Sequence, residues 1–211
     1  MRVAIFGAGG GIGRHVVEQA RAAGHELTLV TRDASTLQGS GPGVRVLEGD
    51  VRGAGLIAAA VDGVDAVINT LGPTSNTADQ VELVESFTRS LVQSMQAARV
   101  QRLVTLSGAA VNLHGERKGA GDRFASAVVR IFASHVLRAK QREYEVLAES
   151  DLDWVAVRPP RVSDDPARGD YRVGDLALGP RSRIGKADLA AFILSQLTDD
   201  TYLRQAPRIS Y

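Results

Sequence analysis

The stretch Gly7-Ala8-Gly9-Gly10-Gly11-Ile12-Gly13 follows a run of residues 2–6 (RVAIF) that reads as a strand, and five of its seven residues are glycine. Glycine loses more backbone entropy on folding than any other residue, so this density needs a geometric reason. Ile12, Val16, Val17, Ala20 and Ala23 then recur at helical spacing, with Gly24 placed to end the helix. A buried strand, a glycine turn and an amphipathic helix form the opening of a βαβ crossover. That unit commits the chain to a parallel sheet whose ligands lie beyond the carboxyl ends of the strands.

The spacing of the glycines is informative. G-x-G-x-x-G fails from Gly7 because residue 12 is Ile12, and starts at Gly9 and Gly11 fail at Arg14 and Val16. G-x-x-G-x-x-G fits at Gly7, Gly10 and Gly13. Gly7 permits a sharp turn out of the strand, Gly10 lets backbone approach a pyrophosphate, and Gly13 lets the helix lie close to the sheet. The helix N-terminus adds free amides and a partial positive charge. Gly9, Gly11 and Ile12 complete the loop as expected cofactor contacts.

The alternation continues. Strands are predicted at 27–30, 44–47, 64–69, 103–106 and 154–157, with helices at 56–61, 77–100, 125–150 (broken around 132–135) and 186–197. Asp33 is placed to cap a short helix through Leu37. Residues 171–173 and 176–178 flank Gly174-Asp175, a two-residue hairpin signal, and 208–209 reads as a last strand. The expected fold is therefore α/β: a doubly wound parallel sheet (Rossmann fold) in one domain over 1–211, with a small C-terminal hairpin and helix elaboration at 159–185 on the substrate side.

Composition narrows the function. A formal net charge of +1 gives no global field for nucleic acid or an anionic membrane. The chain has no cysteine, which excludes disulfides, thiol nucleophiles and thiolate metal sites. His114 and His135 belong to no cluster of ligand spacing, so no metal site is expected. No signal-like segment precedes the first strand and no apolar run is long enough to span a bilayer. The expectation is a cytoplasmic monomer or homodimer acting on a small molecule.

Since ligands sit after the strands, the residues at each strand end are the candidates for chemistry. The second strand delivers Arg32, which can grip a ribose 2′-phosphate where an acidic residue would select the free hydroxyl. NADPH is thus expected over NADH. After the third strand, Asp50 can accept from an adenine amino group with Val51 against the ring, or Asp50 can simply cap a helix. After the fourth, Thr70, Leu71 and Gly72 pass close to a ribose, with Pro73 on the substrate side.

Together, Gly7-x-x-Gly10-x-x-Gly13, Arg32-Asp33, Gly49-Asp50-Val51, Leu71-Gly72, Ala139-Lys140 and Leu152 through Pro159 resemble the atypical, or extended, short-chain dehydrogenase/reductases. Within them the chain is similar to proteins related to biliverdin reductase B (flavin reductase) and to NmrA-like proteins. Ala187-Asp188-Leu189-Ala190 extends the likeness towards the C-terminus.

The resemblance implies an oxidoreductase whose wider superfamily uses Tyr-x-x-x-Lys. The matching lysine is Lys140, but Val136 stands where the tyrosine belongs. Tyr144 lies on the other side and reads as a packed helix position. Ser107 matches the superfamily's active-site serine, with a turn-capping role as its alternative; Lys140 is either a cofactor contact or one cation of a basic helix. Ser107 and Lys140 are the catalytic candidates. In the biliverdin and flavin reductases Pro-Pro-His follows the last core strand; here it is Pro159-Pro160-Arg161. The prolines would flank the nicotinamide with free carbonyls, and Arg161 would meet an anionic acceptor. The implied reaction is hydride transfer from NADPH to a planar acceptor, a flavin first, or a quinone or tetrapyrrole. The alternative is an NmrA-like NADP(H) sensor without turnover. The glycine-rich segment 114–122 reads as a solvated loop or a lid.

Overall fold

The computed structural model describes residues 1–37, 41–111, 113 and 133–211. Six strands form one parallel sheet: β1 (Arg2–Phe6), β2 (Glu26–Thr31), β3 (Val44–Glu48), β4 (Ala66–Asn69), β5 (Arg102–Leu106) and β6 (Asp153–Val157). Their order is β3-β2-β1-β4-β5-β6, with every pairing parallel. The chain runs outward from β1 on one side, then returns to run outward on the other. Strand order reverses between β1 and β4, the point beyond whose strand ends such sheets bind their ligands.

Continuous apolar runs make these strands, because both faces are covered. Val3 and Ile5 of β1 face one core, with Val16, Val17 and Ala20 of α1 (Gly13–Ala22) and Leu189, Phe192 and Ile193 of α5 (Lys186–Ser195). Ala4 and Phe6 face the other, with α2 (Ala54–Val61), α3 (Ala78–Ala97) and α4 (Ser134–Glu149). Each large side chain so buried contributes about 1.5–3 kcal/mol. Phe6 meets Phe87 edge-on at 5.4 Å, and Tyr144 meets Trp154 at 5.9 Å, so Tyr144 packs on the domain as its helix face indicated. Gly24 closes α1 with φ +76°, and Asp33 caps a short 3-10 turn (Ala34–Thr36) by accepting from the Ser35 N–H.

The doubly wound fold is as the sequence indicated, but the C-terminal elaboration differs. Instead of a hairpin across Gly174-Asp175, β8 (Arg172–Gly174) pairs antiparallel with β10 (Arg208–Ser210). A parallel ribbon that the sequence did not signal joins β7 (Arg161–Ser163) to β9 (Arg183–Gly185). Gly174 does turn the chain, with φ +126°, yet residues 176–178 form no strand. The helix expected from residue 125 is described from Ser134; residues 114–132, including His114 and the segment 114–122, lie outside the described residues. Among the described residues no helix is long and apolar enough to cross a membrane.

Candidate functional site

Parallel strands place all the singled-out residues at one edge of the sheet. The glycine loop leaves β1, Arg32 follows β2, Asp50 and Val51 follow β3, Thr70–Pro73 follow β4, Ser107 follows β5 and Pro159–Arg161 follow β6. The sheet order therefore separates two halves: the ends of β2 and β3 on one side of the glycine loop, and the ends of β4, β5 and β6 on the other.

The loop's glycines have distinct geometric causes. Gly7 has φ +78°, and a Cβ there would stand 2.7 Å from Thr70 Oγ1. A Cβ on Gly13 would stand 2.1 Å from the Gly7 carbonyl oxygen, so only glycine lets α1 start this close to β1. Gly9 is pressed against Thr36, whose Oγ1 would be 2.3 Å from its Cβ. Thr70, just after the neighbouring β4, fixes the turn by donating to the Phe6 carbonyl at 2.9 Å.

The N-terminus of α1 is left without a protein cap. Ile12 at the cap makes no side-chain hydrogen bond, and the first turn carries no acid. Among the described residues, the backbone N–H groups of Gly11, Ile12 and Gly13 meet no acceptor. Three consecutive amides at the positive end of a helix form an anion cradle.

At the β2–β3 end, Arg32 is exposed and acts electrostatically on Asp50. Asp50 is not a helix cap, since Gly53 caps α2. Its carboxylate accepts from the Arg52 N–H at 2.9 Å and the Arg52 guanidinium at 2.7 Å. That backbone hydrogen bond, with the charges of Arg52 and Arg32, holds the Asp50 carboxyl below the usual range. Arg52 thus adds a second cation that the sequence reading did not single out. Asp33 is held low by the Ser35 hydroxyl and N–H.

At the β4–β5–β6 end, Lys140 and its surroundings form one buried network. Lys140 Nζ donates to the carbonyls of Leu71 and Leu106 and to Glu143 Oε2, each at 2.8 Å. An ammonium has three protons, so these partners engage all of them. Glu143, only 1% exposed, also accepts from Asn69 Nδ2 at 3.0 Å and Thr105 Oγ1 at 2.8 Å. Asn69 in turn accepts from the Leu71 N–H at 3.0 Å. Lys140 therefore ties the ends of β4 and β5 to α4. Glu143 was missed in sequence, although its place one turn after Lys140 is the signal that finds it.

The Ser107 N–H donates to the Val157 carbonyl at 2.8 Å; its hydroxyl has no partner among the described residues. Pro159 is buried, and its carbonyl accepts from the Ala109 N–H at 3.0 Å, so it is engaged where a free carbonyl was expected. Pro160 is half-buried and Arg161 is exposed at the start of β7.

A family model described as NAD(P)H-binding matches residues 7–200. The chain is 33% identical over 203 residues to the uncharacterized protein YwnB of Bacillus subtilis, across 93% of this chain and 92% of that one. It is 31% identical over 173 residues to 3 beta-hydroxysteroid dehydrogenase/Delta 5-->4-isomerase of Mycobacterium tuberculosis, across 75% of this chain but 46% of that protein. The chain thus spans less than half the length of that relative. A short-chain dehydrogenase/reductase of Veillonella parvula, solved in complex with NADP, shares the fold with a TM-score of 0.82 over 100% of this chain and 94% of the other, at 20% identity. Over residues 7–200, from its glycine loop past its last helix, the chain belongs to the NAD(P)H-binding family.

Proposed function

We propose that the chain is an NADPH-dependent reductase passing hydride to a planar acceptor, a flavin before a quinone or tetrapyrrole. The observation that carries the cofactor reading is the run of three amides at Gly11, Ile12 and Gly13 that meet no acceptor among the described residues, in the loop after β1, where strand order reverses. These residues suit a dinucleotide: the amides take the diphosphate, Arg32 with Arg52 nearby takes a 2′-phosphate, and Thr70–Gly72 line the path towards Ser107. Bound nicotinamide would supply the hydride.

The chain's own residues orient and shield. The Ser107 hydroxyl, free to turn, orients an acceptor carbonyl or the nicotinamide amide. Pro160 and Pro73 give apolar walls, and Arg161 meets an anionic group such as a flavin phosphate. Lys140 acts through the strand ends that it holds. With Val136 in the tyrosine position, proton donation by a phenol is not available there. The dehydrogenase named in the Mycobacterium tuberculosis relative is therefore a poor guide to the substrate. A flavin, which can take its second proton from water, tolerates that loss.

The commitment of Lys140 to protein partners also favours a second reading, an NADP(H) sensor without turnover. Mixing the protein with NADPH and FMN, and following nicotinamide absorbance, separates the two. Oxidation above the rate in free solution supports the reductase. Tight NADP(H) binding with no oxidation across flavins and quinones supports the sensor. Arg32→Ala should lower the NADPH-to-NADH affinity ratio by about ten- to a hundredfold, the worth of charge-assisted hydrogen bonds to the phosphate. An unchanged ratio would remove Arg32 from the site.

A further inference from the structure

Lys186 opens α5, far in sequence from the glycine loop, yet its side chain lies over that loop. Its Cε and Nζ both stand 3.7 Å from where a Cβ of Gly11 would be. The backbone beneath it is fixed, because Gln19 Nε2 of α1 donates to the Ala187 carbonyl at 2.9 Å. Its ammonium pairs with Asp164 at 2.5 Å. The lysine side chain is 27% exposed and the aspartate 83%, so the pair is a surface one on the aspartate side. Gly11 is the first of the three amides that meet no acceptor among the described residues, so a cation and an anion cradle share one place.

We propose that Lys186 is a ligand of the dinucleotide's diphosphate, and that Asp164 competes with the diphosphate for it. The proposal rests on reading the glycine loop as the diphosphate site. Amide dipoles alone face two negative charges there; Lys186 supplies a full positive charge at the same point. An exposed ion pair holds its partners weakly, so Lys186 can leave Asp164 for a diphosphate oxygen by rotating its own side chain. Asp164 follows directly after β7, which begins with Arg161. Release of Asp164 therefore connects occupation of the glycine loop to the segment on the acceptor side.

The test is the sign of two substitutions. Calorimetric titration of NADP+ into the wild-type chain, Lys186→Ala and Asp164→Asn should show opposite effects. Lys186→Ala should weaken binding about ten- to a hundredfold, and Asp164→Asn should tighten it by about two- to fivefold, as expected for losing an exposed competing partner. Lys186→Arg should bind nearly as the wild type does. ADP-ribose, which keeps the diphosphate, should follow the same pattern, whereas adenosine 2′-monophosphate should respond to Arg32→Ala and not to Lys186→Ala. A pair that only supports the fold would make both substitutions weaken binding. That result, or no response of NADP+ affinity to Lys186→Ala, overturns the proposal. If Lys186→Ala does not fold, Lys186→Gln and Asp164→Asn give the same two signs. Failure of the wild-type chain to bind either NADP+ or ADP-ribose would overturn the cofactor site itself, and with it the role of Lys186.

Discussion

At the scale of single residues, the glycines differ in what a methyl group would meet. At Gly13 it would fall 2.1 Å from the Gly7 carbonyl oxygen, which belongs to the turn itself and cannot move aside as a side chain would. At Gly55, inside α2, it would meet nothing within 4 Å. Gly13→Ala should therefore destabilise the fold by about 3 kcal/mol, as overpacking in a close-packed region does. It should also displace the amide cradle and abolish NADP+ binding. Gly55→Ala should stabilise by about 0.5–1 kcal/mol, because alanine loses less entropy in a helix. Urea denaturation of both variants checks the contrast. Equal effects would mean that the glycines of this chain are matters of backbone entropy alone.

At the scale of elements, α4 is held to the sheet by a charge pair buried beneath it. Lys140 and Glu143 are 8% and 1% exposed, and together they engage Leu71, Leu106, Asn69 and Thr105. Removing one member leaves the other charge buried without its counterion, so Glu143→Leu alone should cost about 3–5 kcal/mol of stability. Replacing both, as Lys140→Met with Glu143→Leu, should recover much of that loss, since apolar side chains of similar volume need no counterion. Urea midpoints of the single and double variants provide the measurement; a double variant as unstable as the sum of its singles would show that no coupling exists. This pair also marks where sequence reading stops. The position of Lys140 was legible from its neighbours in the chain, but its three hydrogen-bond partners lie just after β4, on β5 and on α4. Only the last of these is local.

At the scale of the whole molecule, the six-strand sheet and its two cores were legible because apolar runs and glycine turns are local signals. The closure of the C-terminal region was not. Val173 pairs with Ile209 and Arg161 with Arg183, choices made by which sheet edges the fold brings together, so a sound turn signal at Gly174 pointed to the wrong partner strand. One cluster ties that region shut. Asp188, buried on α5, accepts from the N–H groups of Arg168 and Gly169 at 2.8 and 3.1 Å and from the Tyr211 hydroxyl at 2.6 Å. Tyr211 also accepts from the Gly185 N–H at 3.0 Å, and the Arg168 guanidinium lies over its ring at 4.1 Å. Burial pushes the Asp188 carboxyl upward, but the Tyr211 hydroxyl and the two amides outweigh it and leave the group below its ordinary value. Burial and donation to Asp188 push the Tyr211 hydroxyl up, so it remains a donor throughout the acid range. A carboxyl whose pKa is lower folded than unfolded adds stability in full above the unfolded value, about 4. That stability is lost as pH falls through the lower folded value. Asp188→Asn should therefore cost stability by about 1–3 kcal/mol near neutrality, the worth of hydrogen bonds to a charged acceptor. The gap from the wild type should close as pH falls below about 4. Asp33, Asp50, Asp65, Asp79, Asp165 and Asp199 are also held low, but they are common to both proteins and cancel in the difference. Paired urea titrations across that range read the gap directly. A gap independent of pH would show that the cluster closes the molecule by shape and neutral hydrogen bonds, with no contribution from the charge on Asp188.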